Sequence, residues 1–242
     1  MIDPDRLYEA QHAVGDDPIP AVIAELAAGG RCDLVWRNEL GGLTFRLEDR
    51  FVKWNPRRTG IDLEHERVRL QWLEGRHPAP RVILWSQDER AQWLVTSMVT
   101  GEHAVGAGWR VRHRQAIEAI AAGLRALHAV PVDDFPAEWT AQTWLSRSPS
   151  ALGLRPEIRD PVLVHGDACA PNTLISAAGV WTGNVDFGDL AVGDRWADLA
   201  IAAMSLDWNF GEGHQDEFYA AYGVAPDPVR IHYYRELWHL AS

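Results

Sequence analysis

The pattern of apolar residues changes once along this 242-residue chain, near Gly101. Before this point, short alternating runs are separated by glycine-rich and charged turns, which is typical of antiparallel strands. After it, apolar residues recur at the helical period, most clearly over residues 110–129. The change predicts an α+β protein with two lobes: a sheet-rich lobe over residues 1–100 and a mostly helical lobe over residues 101–242.

The first lobe begins with a polar lead-in at residues 1–17. Its predicted elements are a short helix (residues 21–26), a three-stranded antiparallel meander (33–54), one main helix (61–76) and two further strands (81–85 and 93–98). Beyond the long helix, the second lobe is predicted to contain a buried strand (residues 162–164), a hairpin (173–187) and three more helices (195–207, 213–222 and 226–239). Residues 131–161 show no clear pattern.

Composition narrows the class of protein. Apolar residues make up 47% of the chain and charged residues 24%, so the chain can bury a core. The net charge of −11 disfavours nonspecific nucleic-acid binding and suits a cationic ligand, although an acidic surface also keeps a protein in solution. Because there is no secretory signal and no apolar run near the roughly 20 residues that span a bilayer, we predict a cytoplasmic protein without a membrane segment.

The segment from His165 to Asn172 carries the strongest chemical signal. It follows the predicted strand at residues 162–164, and its aspartate and asparagine, Asp167 and Asn172, have the Asp-x-x-x-x-Asn spacing of a kinase catalytic loop. Asp167 is suited to orient a hydroxyl or accept its proton, and Asn172 offers a neutral oxygen to a hard cation. The alternative is a structural loop in which both residues cap a helix.

A second candidate metal ligand, Asp186, ends the predicted strand at residues 180–185 and is followed by Phe187 and Gly188. Alone, an Asp-x-Gly triplet usually marks a turn. Here the predicted hairpin brings it to the same edge as Asn172. We therefore predict that Asn172 and Asp186 hold Mg²⁺, which prefers oxygen ligands.

Lys53 is a lone lysine within an apolar strand. A strand lysine that lies thirteen residues before a helical glutamate fits the ion pair that positions a phosphate-binding lysine. Glu66 is preferred over Glu64 as the partner because it lies on the packed face of its helix, four residues before Leu70. The alternative is a surface lysine whose stem lies along the sheet.

The Gly41-Gly42 pair, in a turn of the meander, would let the backbone approach nucleotide phosphates. Without further support, such a pair is an ordinary turn signal. Together with the lysine, the aspartates and the asparagine, it completes the parts that phosphoryl transfer requires, in the chain order of protein kinases.

These motifs resemble those of the aminoglycoside phosphotransferases, bacterial antibiotic-resistance kinases with a protein-kinase-like fold. The likeness is greatest to enzymes that phosphorylate a 3′- or 3″-hydroxyl. The similar stretches touch both predicted lobes and cover residues 38–45, 64–82, 93–101, 123–136 and 164–200. The last stretch is the most specific, because it combines His165–Asn172, Val185–Gly188 and Asp194–Ala200.

The resemblance implies a kinase that uses ATP or GTP with Mg²⁺ and acts as a monomer, with a dimer as the alternative. It also implies that the backbones of Ser97 and Val99 form a hinge that hydrogen-bonds the purine, and that Thr96 lines the back of that pocket. Asp198 is implied as a buried brace of the catalytic loop. His165 is implied as a second brace rather than a general base.

The chain departs from the family in the regions that build its substrate site. Family members usually end in a short acidic and aromatic tail, whereas residues 236–242 hold one carboxylate, Glu236, and the insert at residues 136–161 is short. Asp189 stands where many members carry arginine. Asp189, Asp207 and Glu236 are the candidates for contacts with substrate amines, and the alternative for each is a solvated surface acid.

The sequence therefore predicts phosphorylation of an aminoglycoside hydroxyl, which confers antibiotic resistance. One alternative is a kinase of the same fold that acts on another small molecule, either another antibiotic class or an amino-alcohol metabolite. Another is a kinase-fold protein that sequesters its ligand without turnover. Loss of Lys53, Asp167 or Asp186 would favour sequestration, and all three are present.

Overall fold

The structure is a computed structural model that describes residues 19–38 and 40–240. The predicted lead-in at residues 1–17 lies outside the described residues. The chain divides into two compact units. The first unit contains the described residues up to Gln71 together with Pro80–Met98, and the second contains Trp72–Ala79 and the residues from Val99 onward.

The first unit is built on a five-stranded antiparallel sheet with the strand order β1-β2-β3-β5-β4. The strands are β1 (Asp33–Arg37), β2 (Leu43–Arg46), β3 (Arg50–Pro56), β4 (Val82–Gln87) and β5 (Ala91–Ser97). Helix α1 (Ala21–Ala27) and the main helix α2 (Leu63–Leu73) confirm the two predicted helices. Alternation along the strands buries Phe45 and Val52 on one face, where Ile23 of α1 packs against them.

The second unit is mostly helical. Its helices are α3 (Ala107–Val111), α4 (His113–His128), α5 (Ala137–Ala141), α6 (Trp196–Phe210), α7 (Gln215–Tyr222) and α8 (Pro228–His239). Its strands are β6 (Glu102–His103), β7 (Val162–Val164), β8 (Thr173–Ile175), β9 (Trp181–Asn184) and β10 (Ala191–Gly193). Strands β7 and β10 form one antiparallel pair, and β6, β8 and β9 form a three-stranded sheet.

Helix α6 lies at the centre of the second unit, and every residue from Trp196 to Leu206 is buried. A helix that is apolar on all sides is stable only when other elements cover it. The predicted hairpin and the three predicted C-terminal helices are confirmed. The predicted helix at residues 110–129 is instead the end of α3 followed by α4, and the unassigned residues 131–161 form α5 and short 3₁₀ turns.

Residues 72–79 belong to the second unit, whereas a division at residue 100 places them in the first lobe. Trp72 packs edge-on against Phe135, with ring centroids 5.1 Å apart. The Pro78 carbonyl accepts a hydrogen bond of 3.0 Å from the Asn184 N–H. These partners are distant in sequence, so a local pattern does not reveal them.

None of the helices within residues 19–38 and 40–240 has the length and apolar character needed to span a bilayer.

Candidate active site

The predicted catalytic loop, residues 165–172, follows the buried strand β7. Gly166 has a left-handed backbone with φ +83°. A Cβ at this position would lie 2.2 Å from the Asp189 carbonyl oxygen, so only glycine fits. The structure therefore places Asp189, one of the predicted substrate residues, directly against the catalytic loop.

Asp198, in the first turn of α6, is fully buried and holds the loop through its backbone. Its carboxylate accepts hydrogen bonds from the N–H groups of His165 (2.6 Å) and Gly166 (3.0 Å). The His128 ring of α4 donates a third bond of 2.9 Å from Nε2. A buried carboxylate requires donors of this kind. The arrangement confirms the brace that the family resemblance implies.

The buried His165 ring links the two segments that carry the predicted aspartates. Its Nε2–H donates to the Val185 carbonyl at 3.0 Å, and its Nδ1 accepts from the Asp167 N–H at 3.3 Å. The ring also stacks on Phe187, with centroids 4.6 Å apart. Because both ring nitrogens are engaged, His165 braces the loop and is not placed to act as a general base.

Asp167 and Asn172 lie in contact within the loop. The Asn172 Nδ2 donates to the Asp167 carbonyl at 2.9 Å and to its carboxylate Oδ2 at 3.1 Å. These bonds orient the amide so that the Asn172 Oδ1 is the atom that can face a cation. Burial and, next, the charge of Asp186 raise the pKa of Asp167.

Asp186 follows β9 and has a left-handed backbone with φ +69°, which is uncommon for a residue other than glycine. The N–H of the preceding residue, Val185, donates to the Asn172 carbonyl at 3.0 Å, which aligns the two segments. Carboxylate and amide oxygens are donors that suit Mg²⁺. The described residues include no cluster of three or more His, Cys, Asp and Glu side chains arranged for a metal. In proteins, Mg²⁺ is usually bound by one or two carboxylates together with water and phosphate oxygens.

Lys53 and Glu66 form an ion pair within the first unit. The Lys53 Nζ lies 2.7 Å from both carboxylate oxygens of Glu66, which is buried. Glu64, the alternative partner, is engaged by Arg67 on the same helix instead. The predicted choice of partner is confirmed, and the role of the pair toward a nucleotide stays a prediction.

The Gly41-Gly42 turn has a structural reason for each glycine. Gly41 has φ +91°, and a Cβ on Gly42 would lie 1.9 Å from Asn55 Oδ1. The Gly42 N–H donates to Asn38 Oδ1 at 2.6 Å. These contacts account for the turn itself, and its role toward phosphates stays a prediction.

The predicted hinge residues lie where β5 ends. Thr96 is buried in β5. The Ser97 N–H donates to the Arg81 carbonyl at 2.9 Å, so a purine contact at Ser97 would use its carbonyl. Val99 begins the second unit and packs closely against Gly183. Their roles in nucleotide binding stay predictions.

The other two predicted substrate residues line separate cavities of the second unit. Glu236 borders a cavity of about 270 Å³ together with Leu152 and Tyr233. Asp207 borders a cavity of about 440 Å³ and accepts a hydrogen bond from the Gln215 amide. Burial raises the pKa of Asp207. The residues that line these two cavities do not overlap, so the structure does not bring Asp207 and Glu236 together.

The polar side chains around the loop that were not identified from the sequence include Ser205, His77 and Asn184. Ser205 of α6 accepts a hydrogen bond of 2.9 Å from the Ala170 N–H. His77 and Asn184 are buried and bonded to each other, at 3.1 Å between Nε2 and Oδ1. The available signal is weak: Asn184 is a polar residue in a predicted strand, and Ser205 is one in a predicted helix.

The chain is similar to known phosphotransferases along most of its length. The model of the phosphotransferase enzyme family (APH) matches residues 23–155 and 150–237. An aminoglycoside 3′-phosphotransferase from Streptomyces fradiae is 33% identical over 75% of this chain and 81% of that protein. A streptomycin 3″-kinase from Streptomyces griseus is 32% identical over 93% of this chain and 98% of that protein.

Solved structures of the same kind match this fold. The aminoglycoside phosphotransferase APH(3″)-Id from Streptomyces rimosus has a TM-score of 0.66 and 25% identity, and the match covers 100% of this chain and 99% of that one. An aminoglycoside 3′-phosphotransferase of type VIII has a TM-score of 0.70 and 25% identity, over 90% and 98%. The expected kinase-like α+β fold is confirmed. With a family model over most of its length and relatives above 30% identity, this chain belongs to the aminoglycoside phosphotransferases of the phosphotransferase enzyme family.

Proposed function

We propose that this chain transfers the γ-phosphoryl group of a nucleoside triphosphate to a hydroxyl group of an aminoglycoside. The observation that carries the proposal is the arrangement around Asp167, whose carboxylate accepts from the Asn172 amide and lies within the field of Asp186. Phosphoryl transfer depends on alignment and charge neutralisation rather than on covalent chemistry by the protein. A carboxylate beside two oxygen ligands for magnesium, in a loop braced by Asp198, meets both needs.

In this mechanism Asp167 orients the acceptor hydroxyl and takes up its proton as the hydroxyl oxygen bonds to the γ-phosphorus. The bond from the γ-phosphorus to the β–γ bridging oxygen breaks, and the nucleoside diphosphate leaves with that electron pair. Asn172 and Asp186 would hold Mg²⁺, which would supply positive charge at the phosphates. Lys53, aligned by Glu66, supplies a second positive charge.

For the nucleotide, we assign the purine contacts to Thr96, Ser97 and Val99 and the phosphate contacts to the Gly41-Gly42 turn. The donor is ATP or GTP. The Streptomyces rimosus relative, which is 25% identical, has a structure in complex with ADP and streptomycin, and this favours ATP. Phosphorylation rates measured with ATP and with GTP at equal concentration decide between them.

For the acceptor, we assign a cationic aminoglycoside. The net charge of −11 suits a polycation, and we assign amine contacts to Asp189, beside the predicted catalytic loop, and to Glu236, beside the insert. The streptomycin 3″-kinase aligns over nearly its full length, which supports streptomycin as the first substrate to test. Structures of a macrolide 2′-phosphotransferase and a choline/ethanolamine kinase family protein, each 18% identical, share the fold alone.

The purified chain is assayed with ATP, Mg²⁺ and a panel of aminoglycosides, and the phosphorylated product is identified by mass spectrometry and NMR. We expect Asp167→Ala to lower kcat by about 10²–10⁴-fold, the usual contribution of a general acid or base. Asp133→Ala, a change of an exposed acid, is the matched control. Equal turnover by wild type and Asp167→Ala would contradict the mechanism.

A ligand-sequestering protein gives a different result in the same experiment. An aminoglycoside would raise the melting temperature of wild type while no ADP is released. The cytoplasmic location and the monomeric state stay predictions, which cell fractionation and size-exclusion chromatography with light scattering test.

A further inference from the structure

We propose that Asn184 is a positioning residue for phosphoryl transfer, which fixes the spacing between the two proposed magnesium ligands, Asn172 and Asp186. The inference rests on the proposed function and deepens it. Asn184 touches neither substrate nor metal in this proposal. It acts through the backbone of the segments that carry the ligands.

The first step is the contact of Asn184 with the catalytic loop. Its Nδ2 donates to the Asn172 carbonyl at 3.4 Å and to Thr173 Oγ1 at 3.2 Å. Asn184 itself lies two residues before Asp186, at the end of β9 and opposite Thr173 of β8. One side chain therefore joins the backbone of one proposed ligand to the strand that leads into the other.

The second step is the contact of Asn184 on its other side. Its Oδ1 accepts from His77 Nε2 at 3.1 Å and from Trp181 Nε1 at 3.0 Å. Its own N–H donates to the Pro78 carbonyl at 3.0 Å. Both amide hydrogens and both lone pairs of the amide oxygen are used, so the side chain has one orientation.

The third step is burial. Asn184 is 2% exposed and His77 is 7% exposed. A fully satisfied polar network in a buried site is rigid, whereas loss of one member leaves the others unpaired. The network therefore couples the position of residues 77–78 to the position of the loop.

The fourth step concerns Gly123, whose lack of a side chain leaves room for this network. Gly123 lies within α4, where glycine costs about 1 kcal/mol relative to alanine. A Cβ at Gly123 would lie 2.7 Å from Trp181 Nε1 and 3.1 Å from Asn184 Oδ1. The helix thus carries a destabilising residue at the point where a larger one would displace the two groups.

The test compares metal binding with stability. Wild type and Asn184→Leu are titrated with Mn²⁺ in the presence of a non-hydrolysable ATP analogue, and bound Mn²⁺ is measured by electron paramagnetic resonance. We expect about 10-fold weaker Mn²⁺ binding for Asn184→Leu, the lower range for loss of a group that orients a metal ligand. In turnover assays, kcat falls while KM for the aminoglycoside changes little.

The matched control is Thr143→Val, which removes a buried hydroxyl that donates to the Thr140 carbonyl at 2.9 Å. Both variants lower the melting temperature, and only Asn184→Leu weakens Mn²⁺ binding. Wild-type Mn²⁺ affinity in a folded Asn184→Leu protein would overturn the inference.

A milder variant covers the case in which Asn184→Leu does not fold. Thr173→Val removes one partner of the Asn184 amide and keeps the others, and we expect about 3-fold weaker Mn²⁺ binding, a fraction of the orienting effect. Unchanged binding overturns the inference equally. Because Mn²⁺ binding is measured without turnover, failure of the proposed reaction in wild type is a separate outcome.

Discussion

The catalytic loop of the second unit and the Gly41-Gly42 turn of the first unit are both assigned to phosphate chemistry, yet they are held differently. Side chains from distant elements bond to the loop backbone: Asp198 and Ser205 of α6 and Asn184 of β9. The turn is held by Asn38, which lies close to it in the sequence. The Asn38 backbone donates to the Gly42 carbonyl and accepts from the Gly41 N–H, and its side chain accepts from the Gly42 N–H.

The two loops are therefore expected to differ in the free energy that their local opening requires. A loop whose anchors lie in the buried core opens only when that core opens, whereas a turn held by its own neighbours opens at a small free-energy cost. The loop proposed to carry the chemistry is therefore held in its conformation before a ligand binds. The turn proposed to contact the phosphates keeps local freedom. The following substitutions test this contrast in order of decreasing effect.

Asp198→Ala is expected to have the largest effect. It leaves the His165 and Gly166 N–H groups and the His128 ring without their acceptor, and loss of one member of a buried charged network costs about 3–5 kcal/mol. The free energy of unfolding from urea denaturation measures this change. Asp207→Ala, which removes an acceptor for Gln215 from the same helix, is the control and is expected to cost about 1 kcal/mol. If both substitutions lowered the free energy of unfolding equally, Asp198 would contribute no more to stability than an ordinary hydrogen-bonding residue.

The buried His77 predicts a dependence of stability on pH. Burial lowers the pKa of His77 from 6.5 to about 4. Between these values the unfolded chain binds a proton that the folded chain does not, so stability is complete above pH 6.5 and falls as the pH drops toward 4. The loss is about 3 kcal/mol in total.

His77→Leu is expected to lessen the loss of stability between pH 6.5 and 4, measured by urea denaturation at several pH values. The comparison uses the slope rather than the absolute stability, because the substitution also removes a hydrogen bond to Asn184. An unchanged slope would show that His77 is not the group responsible.

Gly42→Ala probes the turn of the first unit. The added Cβ would meet the side chains of Asn55 and Asn38, and overpacking of this kind costs about 1–3 kcal/mol. Differential scanning calorimetry measures the loss, which is expected to be smaller than that of Asp198→Ala because flexible side chains can move away. A larger loss than that of Asp198→Ala would reverse the contrast between the two loops.

The Lys53–Glu66 pair is expected to contribute least to stability. The Lys53 side chain is 26% exposed, so solvent screens the charges, and a double-mutant cycle of Lys53→Met and Glu66→Gln is expected to give a coupling of about 1 kcal/mol. The pair of Arg67 and Glu64 is the control, with about 0.3–0.5 kcal/mol expected for a helical surface pair. Equal couplings would mean that burial of Glu66 adds nothing.

Local patterns predicted much of the fold and of the candidate site. The meander, the hairpin and the C-terminal helices follow from periodicity, which reports the burial of one face. The closeness of Asn172 to the segment that ends at Asp186 follows from the hairpin between them. The Lys53–Glu66 pair required only a strand, a helix and the choice of the packed face.

Contacts between isolated polar residues could not be predicted in this way. His77 and Asn184 are separated by 107 positions, and neither belongs to a repeating pattern. Their hydrogen bond depends on how residues 72–79 pack within the second unit, which is a tertiary property. For the same reason, the sequence does not show that two of the candidate substrate residues, Asp207 and Glu236, line different cavities.

The left-handed backbone of Asp186 has a consequence for protein engineering. A common route to higher thermal stability replaces a non-glycine residue of positive φ with glycine, which removes strain of about 1 kcal/mol or more. Applied to this chain, that rule selects Asp186 and would erase a proposed metal ligand. Stabilising designs should therefore exempt this position and use Ala28, the other described non-glycine residue with positive φ, which closes a helix instead.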